Sequence, residues 1–313
     1  MRALAAALLL AAAAPEHAMN EVVVAALDRA LKGEAQALKG LGIERRVTIA
    51  PSWDDRTSVD GAGLVTFRSA RSGTDRGGAP IGVFSAALSK EELTALIQAV
   101  RNLAAAPPPP MRVEPYETRV MVEAVVDGQV FQFGTKAFPT ALAPLQPLLR
   151  PLDAAVQKAY AHPLRSLLLA VDPPAGAPRN GPLLLTLRLR NGGAEGFWIS
   201  NPMALPNQPE HERAELVYAP PLVFTPGVQP VPEPPMRTPL APPPGARKEE
   251  PRFLWMPPKG ELAVQLQAHL EAGNARQLAL RAELYLDEGE DRVAGQPRLR
   301  GSVFSADVTV PVK

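Results

Sequence analysis

Cysteine is absent from all 313 residues of the chain. This absence excludes disulfide bonds, thiol catalysis and cysteine-based metal sites. It also excludes lipid attachment at a leader cysteine. A folded chain of this composition therefore depends on its hydrophobic core, for which the 46% of apolar residues supply the material.

An excess of charge of either sign is also lacking. The chain has 33 basic and 32 acidic residues, a formal net charge of +1. Blocks of like charge are missing too, so the sequence does not favour electrostatic capture of nucleic acid or of an anionic membrane. We therefore expect no nucleic-acid partner.

Long apolar runs are missing beyond the N-terminus. The one such run, Ala3 to Ala14, has 12 residues, whereas a membrane-spanning helix needs about 20. Arg2 precedes the run and small residues follow it, with Ala11 and Ala13 at the −3 and −1 positions of one cleavage bond. This order predicts a signal peptide over residues 1–18, no membrane span in the mature chain, and a periplasmic or extracellular protein. The alternative is an alanine-rich N-terminal helix of a cytosolic domain.

Histidines are few and scattered, at His17, His162, His211 and His269. None lies in a metal-binding motif, so solvated or capping roles are expected and no metal site is predicted. A GxSxG nucleophile motif is missing as well. The sequence therefore predicts no catalytic residue and no cofactor.

Two groups of acidic residues could have either a chemical role or a purely structural one. Asp54 and Asp55 form a carboxylate pair suited to acid–base work only in a loop, and we expect an ordinary turn after Trp53. The cluster Asp287 to Asp291 offers oxygen ligands for calcium but lacks EF-hand spacing, which favours a solvated hairpin tip.

The glycines Gly73, Gly77 and Gly78 lie near Arg71 and Arg76. They do not form a GxxxxGK[ST] phosphate loop. The stretch is interpreted as a loop between two strands, with an anion contact as the weaker alternative.

Residues 19–162 alternate helical and strand-like patterns and predict an α+β domain with helices on an antiparallel sheet. Ser89 and Glu92 form a capping box ahead of an apolar helical face, and Asp127-Gly128 predicts a type I′ hairpin. The predicted helices start at Asn20 and after Ser89, with a third over Leu152 to Tyr160, where earlier prolines break the pattern. The predicted strands cover Glu44–Ala50, Leu64–Ser69, Ile81–Ala86, Thr118–Val126 and Gln129–Phe133.

Residues 163–313 read as strands and proline-rich loops. In Leu183 to Arg190 the leucines alternate with polar residues, which predicts a strand with one buried face. Residues 202–258 contain 17 prolines and are predicted to be an insertion, with Leu216–Tyr218 and Leu222–Phe224 as edge strands at best. Within it, Pro226 to Glu250 is predicted to be an exposed arm without regular secondary structure. The further predicted strands cover Leu164–Val171, Gly196–Ser200, Leu262–Leu266, Gln277–Leu286 and Gly301–Val312.

A family resemblance rests on four stretches: Leu185 to Gly193, Phe197 to Pro202, Leu280 to Tyr285 and Leu299 to Val310. They resemble the early and the last strands of immunoglobulin-like sandwiches in bacterial secreted proteins. The resemblance implies an all-β immunoglobulin-like sandwich with a proline-rich insertion. It implies a fold and leaves function open.

Phe253, Trp255 and Met256 form an apolar cluster flanked by prolines. The cluster is a candidate partner-binding patch, although such clusters more often pack an insertion down on its domain, here the sandwich in whose core Trp198 is expected. The predicted function is that of an exported, non-enzymatic binding or envelope-assembly protein with an envelope protein as partner. One alternative is a hydrolase with a site at the interface of the two domains, near Asp54, Asp55 and His162. Another is an envelope spacer.

Overall fold

A computed structural model describes residues 16–49, 53–71, 78–108, 117–205, 212–220, 234–246, 250–286 and 291–313. The fold is a β-rich mixture of antiparallel sheets and a few helices. The chain divides into two compact units. The first takes residues up to 68 and residues 84–162, and the second takes residues 69–83 and 163–313. The predicted leader lies almost wholly outside the described residues.

The first unit is built from a mixed order of helices and strands. Its helices are α1 (Glu16–Leu31), α2 (Ala35–Lys39), α3 (Lys90–Ala105), α4 (Pro139–Leu142) and α5 (Gln146–Tyr160), with a 3-10 turn at Ala143–Leu145. Its strands are β1 (Gly42–Ile49), β2 (Trp53–Asp60), β3 (Leu64–Ser69), β4 (Ile81–Ala87), β5 (Arg119–Val126) and β6 (Gln129–Lys136), of which the last residue of β3 and the first three of β4 are counted with the second unit. They lie in the order β4-β3-β2-β1-β5-β6.

Apolar side chains on alternate strand residues and on one face of each long helix form the core of the first unit. In β5, for example, Val120, Val122, Ala124 and Val126 are buried, whereas the residues between them are not. The predicted α+β arrangement of helices on an antiparallel sheet agrees with this unit.

Local signals set several boundaries in the first unit. The capping box at Ser89 and Glu92 is confirmed and starts α3. The type I′ turn between β5 and β6 is also confirmed, because Asp127 and Gly128 both have positive φ, 50° and 73°.

Three predictions for the first unit were wrong. Trp53 is followed by the strand β2 instead of a turn. The helix α1 covers Glu16–Leu31 and so already includes the residues before the predicted start at Asn20. The helix α5 begins at Gln146 and continues through Pro151.

The second unit has two larger sheets. The first has the strand order β13-β8-β7 and is formed by β7 (Pro163–Val171), β8 (Asn180–Asn191) and β13 (Glu261–Glu271). The second has the order β11-β10-β14-β17 and is formed by β10 (Arg213–Ala219), β11 (Met236–Pro239), β14 (Gln277–Tyr285) and β17 (Ser302–Phe304). Strand β18 (Val308–Pro311) also pairs with β14. Two ribbons complete the unit, β9 (Phe197–Ser200) with β12 (Phe253–Met256) and β15 (Arg292–Val293) with β16 (Gln296–Pro297).

The inward residues of both sheets share one core. The predicted alternation in β8 is confirmed. The side chains of Leu183, Leu185, Leu187 and Leu189 are buried, whereas Thr186, Arg188 and Arg190 on the other face are not. The strand predicted over Gly301 to Val312 is divided into β17 and β18.

Two predictions for the proline-rich segment were wrong. Leu216–Tyr218 lies in β10, an inner strand that pairs with both β11 and β14. The predicted arm contains the strand β11, and Leu240 directly after it is fully buried. Proline is tolerated here because β11 lies at the sheet edge, where a missing donor costs no ladder bond. The predicted strand at Leu222–Phe224 lies outside the described residues.

Candidate binding site on the ribbon of β9 and β12

The predicted patch Phe253, Trp255 and Met256 forms most of strand β12, whose partner strand is β9. Met256 is 1% exposed and belongs to the core of the second unit. Phe253 is partly exposed, and Trp255 is 40% exposed. The accessible part of the patch is therefore Trp255 with the open side of Phe253.

Trp255 lies directly opposite Trp198 in the ribbon. The two indole rings are 5.3 Å apart between centroids at 62°, an edge-to-face arrangement that aromatic pairs favour. Trp198 is not in the core as predicted, because the strand alternates and buries its neighbours Phe197 and Ile199 instead. Within the described part of the chain, the Nε1 donor of Trp198 is buried without a hydrogen-bond partner.

Gly196 makes the position of the Trp255 ring possible. A Cβ atom at Gly196 would collide with the six-membered ring of Trp255. The indole therefore lies directly over the backbone where β9 begins, and its place depends on a residue without a side chain.

A buried ion pair contacts the ribbon through Ser200, on the face that also carries the two tryptophans. Nη2 of Arg298 donates to Oγ of Ser200 at 2.6 Å and to the carboxylate of Glu212, and Ser200 Oγ donates to Glu212 at 2.7 Å. The Arg298 side chain is 1% exposed, and its guanidinium lies 5.1 Å from the ring centroid of Phe253. Burial lowers the pKa of Arg298, and the charge of Glu212 acts against that change.

Asn191 fixes the two chain segments at one end of the ribbon, where β9 begins and β12 ends. Its side chain is fully buried, accepts a hydrogen bond from the Gly193 amide at 2.8 Å, and donates to the carbonyls of Glu195 and Pro257 at 2.9 Å each. The segment before β9 and the segment after β12 are thus tied to one amide. The sequence identified Asn191 only as part of a turn.

A second polar cluster, missed by the sequence analysis, lies on the outward face of β10, β11 and β14. Glu283 is 1% exposed and accepts hydrogen bonds from Tyr285 at 2.7 Å, Arg237 at 2.8 Å and Arg281 at 2.8 Å. Arg237 also donates to Glu215 at 2.9 Å, and Glu215 lies opposite Glu283 in the register. Arg237 therefore joins two carboxylates that would otherwise repel each other.

The pKa values in this cluster follow from burial and from these partners. Burial acts to raise the pKa of Glu283, but the hydrogen bonds from Tyr285 and Arg237 and the charges of Arg237 and Arg281 outweigh it and lower the pKa. Burial raises the pKa of Tyr285, and the neighbouring Glu283 adds to this change. Glu283 therefore acts as a charged acceptor at neutral pH.

A shallow pocket of about 330 Å³ opens beside the same sheet edge. His269 Nε2 lies 3.1 Å from Asn180 Oδ1, and the Tyr218 hydroxyl accepts from the Glu271 amide at 3.3 Å. The lining residues are Tyr218, Met236, Arg237, Thr238, His269 and Glu271. Arg237 is already committed to two carboxylates, so it does not offer an unpaired charge to a ligand.

The other residues considered from the sequence are dispersed. Asp54 and Asp55 lie in β2, opposite Thr48 and Val47, so the loop that a carboxylate pair requires is not formed there. His162 is exposed just after α5, and His17 lies in α1. Of the glycine-rich stretch, Gly78 donates its amide hydrogen to the Phe304 carbonyl at 3.2 Å. Of the acidic cluster, Asp291 accepts a hydrogen bond from Arg300 at 3.1 Å. His211, Gly73, Arg76, Gly77 and residues 287–290 lie outside the described residues.

Two further findings concern the described residues as a set. They contain no helix long and apolar enough to cross a membrane. They also contain no group of three or more histidine, aspartate or glutamate side chains placed to hold a metal ion.

Comparison with known proteins gives no family. No protein-family model matches the chain, and no curated protein matches it. One solved structure with a detectable likeness is described as "AvmM Catalyzes Macrocyclization in Alchivemycin A Biosynthesis". The likeness covers 47% of this chain and 88% of that one, at 13% identity and a TM-score of 0.23.

Proposed function

We propose that the protein is an exported, non-enzymatic binding protein that docks an envelope protein partner on the ribbon of β9 and β12. The observation that carries this proposal is the 40% exposure of Trp255, an indole packed against Trp198 over a ribbon held by buried residues. Large aromatic side chains that are fixed before binding are the usual energetic anchors of protein interfaces.

The rigidity of this anchor comes from the buried residues around it. Met256 is buried next to Trp255, and Arg298 binds Ser200 and Glu212 beside the tryptophan pair. A side chain that is already ordered loses little conformational entropy when a partner covers it. The buried Nε1 donor of Trp198 offers, in addition, a hydrogen bond to an acceptor on the partner after a small ring movement.

An immunoglobulin-like sandwich with a proline-rich insertion is part of the same proposal. Two antiparallel sheets that share one core support the sandwich. The prolines of residues 202–258 support the insertion, with β12 at its end. This arrangement would present Trp255 at the boundary between the insertion and the sandwich.

Export is supported by the N-terminal pattern of Arg2, twelve apolar residues and small residues. Secretion would place the Trp255 surface in the periplasm or outside the cell. An envelope protein is therefore the proposed class of partner.

Site-specific photo-crosslinking tests the proposal. A photoreactive phenylalanine derivative at position 255 should capture a defined envelope protein in cells, whereas the same group at Val22, which is 50% exposed on α1 of the first unit, should not. Trp255→Ala should weaken binding of the captured protein by about 2 kcal/mol, roughly 30-fold in Kd. Equal capture at both positions, or unchanged affinity of a folded Trp255→Ala variant, would refute the proposal.

A further inference from the structure

Strand β6 ends the sheet of the first unit. It pairs with β5 along its whole length from Gln129 to Lys136. On its other side no strand of the described chain pairs with it. Its backbone donors and acceptors on that side form a regular row, and such an edge is a template for another strand.

Edge strands usually carry features that prevent pairing with another chain, and two strands of the second unit show such features. Strand β11 has four residues, including Arg237 and Pro239. Strand β13 has Glu261 and Glu271 at its ends, and Gln267 exchanges backbone hydrogen bonds of 2.9 and 2.7 Å with Ala241. Short length, charge, proline and a covering segment all discourage pairing with another chain.

Strand β6 has less protection: its one charge, Lys136, is at its end, and no described strand pairs with its open side. From Gln129 to Thr135 it has seven residues without a charge or a proline. Val130 is 49% exposed on the strand, and Phe138 just beyond its end is 52% exposed. A long, uncharged edge with exposed apolar side chains is suited to continue the sheet into a second chain.

The strand is complementary to itself. In an antiparallel pair, opposite residues lie on the same face of the sheet, so Phe131 and Phe133, both on the buried face, must oppose residues of that face. With Gln132 opposite its own copy, Phe131 meets Phe133, Val130 meets Gly134, and Gln129 meets Thr135. Lys136, which is paired with Glu117 at 2.8 Å, remains outside the paired segment.

We propose that β6 pairs with β6 of a second copy of this chain, antiparallel and centred on Gln132, to form a symmetric dimer. The register places aromatic side chains opposite each other and places no like charges opposite each other. A two-fold contact of this kind also limits the assembly to two copies, because it uses the open edge of each of them. A second copy fits better than an unrelated peptide, because this edge offers no charged side chain with which to select one.

Sedimentation of the purified protein tests the dimer, and a charge exchange tests its register. Gly134 has an ordinary negative φ, and a Cβ there would meet Met121 at 3.7 Å, which is normal contact. Val130→Lys with Gly134→Lys would place two pairs of like charges across the interface. Val130→Lys with Gly134→Glu would place opposite charges there instead. The dimer dissociation constant should be about tenfold higher for the first variant than for the second.

The absence of cysteine allows a direct cross-link. Gln132→Cys would place two thiols opposite each other on the two-fold axis, and mild oxidation should join them into a covalent dimer. Oxidation should be roughly 100-fold faster than for Gln157→Cys on the exposed side of α5, because the interface raises the effective thiol concentration. A monomer at tens of micromolar, or a dimer indifferent to the charge exchange and not joined at position 132, would overturn the proposal.

Discussion

The two units differ in how they use buried polar side chains. Among the described residues, the first unit buries three that are polar or charged, Arg45, Thr57 and Thr135, whereas the second buries ten, three of which are the charged residues Glu212, Glu283 and Arg298. In the first unit the boundaries are set by caps and turns that lie within a few residues of each other. Both units have ion pairs between residues far apart in sequence, but Asp153, the partner of Arg45 in the first unit, is 64% exposed, whereas Arg298 and Glu212 of the second unit are both buried. The buried pair of the second unit also supports the candidate binding site.

The largest effect should come from breaking the buried ion pair of the second unit. Arg298→Met removes the partner of Glu212, so a buried carboxylate loses its compensating charge. We expect the free energy of unfolding to fall by about 3–5 kcal/mol, measured by urea denaturation of the second unit's transition.

The double variant Glu212→Gln with Arg298→Met is the matched control. It removes both charges, and the amide introduced at position 212 would still accept a hydrogen bond from Ser200, so it should lose clearly less stability than the single variant. A single variant that loses less than about 1 kcal/mol would show that water reaches Glu212 and that the ribbon does not depend on the pair.

A smaller, pH-dependent effect should come from Glu283. Since its pKa is lowered in the folded protein, its contribution to stability is present above the unfolded value of about 4.3 and is lost as the pH falls through the folded pKa. Stability of the second unit should therefore fall with pH in this acid range, and Glu283→Gln should reduce that slope. The free energy of unfolding of the unchanged protein and of Glu283→Gln, measured at a series of pH values, tests this prediction. If the two proteins show the same dependence of that free energy on pH, the acid loss of stability does not come from Glu283.

This difference between the units explains what the sequence could predict. The capping box at Ser89 and the turn at Asp127-Gly128 are local, so a few residues decide them. Strand β2 was missed because its buried positions include Thr57, so apolar and polar residues do not alternate clearly. The start of α5 was missed because three buried leucines compensate for Pro151, and that compensation is visible only in the packed structure. They are Leu148, Leu149 and Leu152.

The candidate site was predictable only in part. The flanking prolines and the apolar run indicated Phe253, Trp255 and Met256, but sequence alone does not tell which of them the strand turns inward. The residues of the buried ion-pair network come from distant positions: Ser200 and Glu212 lie 98 and 86 residues from Arg298. The network around Glu283 likewise depends on Arg237, which lies in a segment predicted to lack regular structure.

The smallest effect should come from a local signal of the first unit. The Ser89 hydroxyl accepts from the Glu92 amide at 3.2 Å, and the Glu92 carboxylate accepts from the Ser89 amide at 2.8 Å. Ser89→Ala removes one of these bonds at an exposed helix end, where water replaces it, so stability should fall by only about 1 kcal/mol. Ser89→Asp keeps an acceptor at the same position and should restore most of the loss. Thermal unfolding of the two variants measures both changes. A loss as large as that of Arg298→Met would mean that α3 depends on its cap more than on its buried face, and the contrast between a locally specified unit and one held by buried polar contacts would not hold.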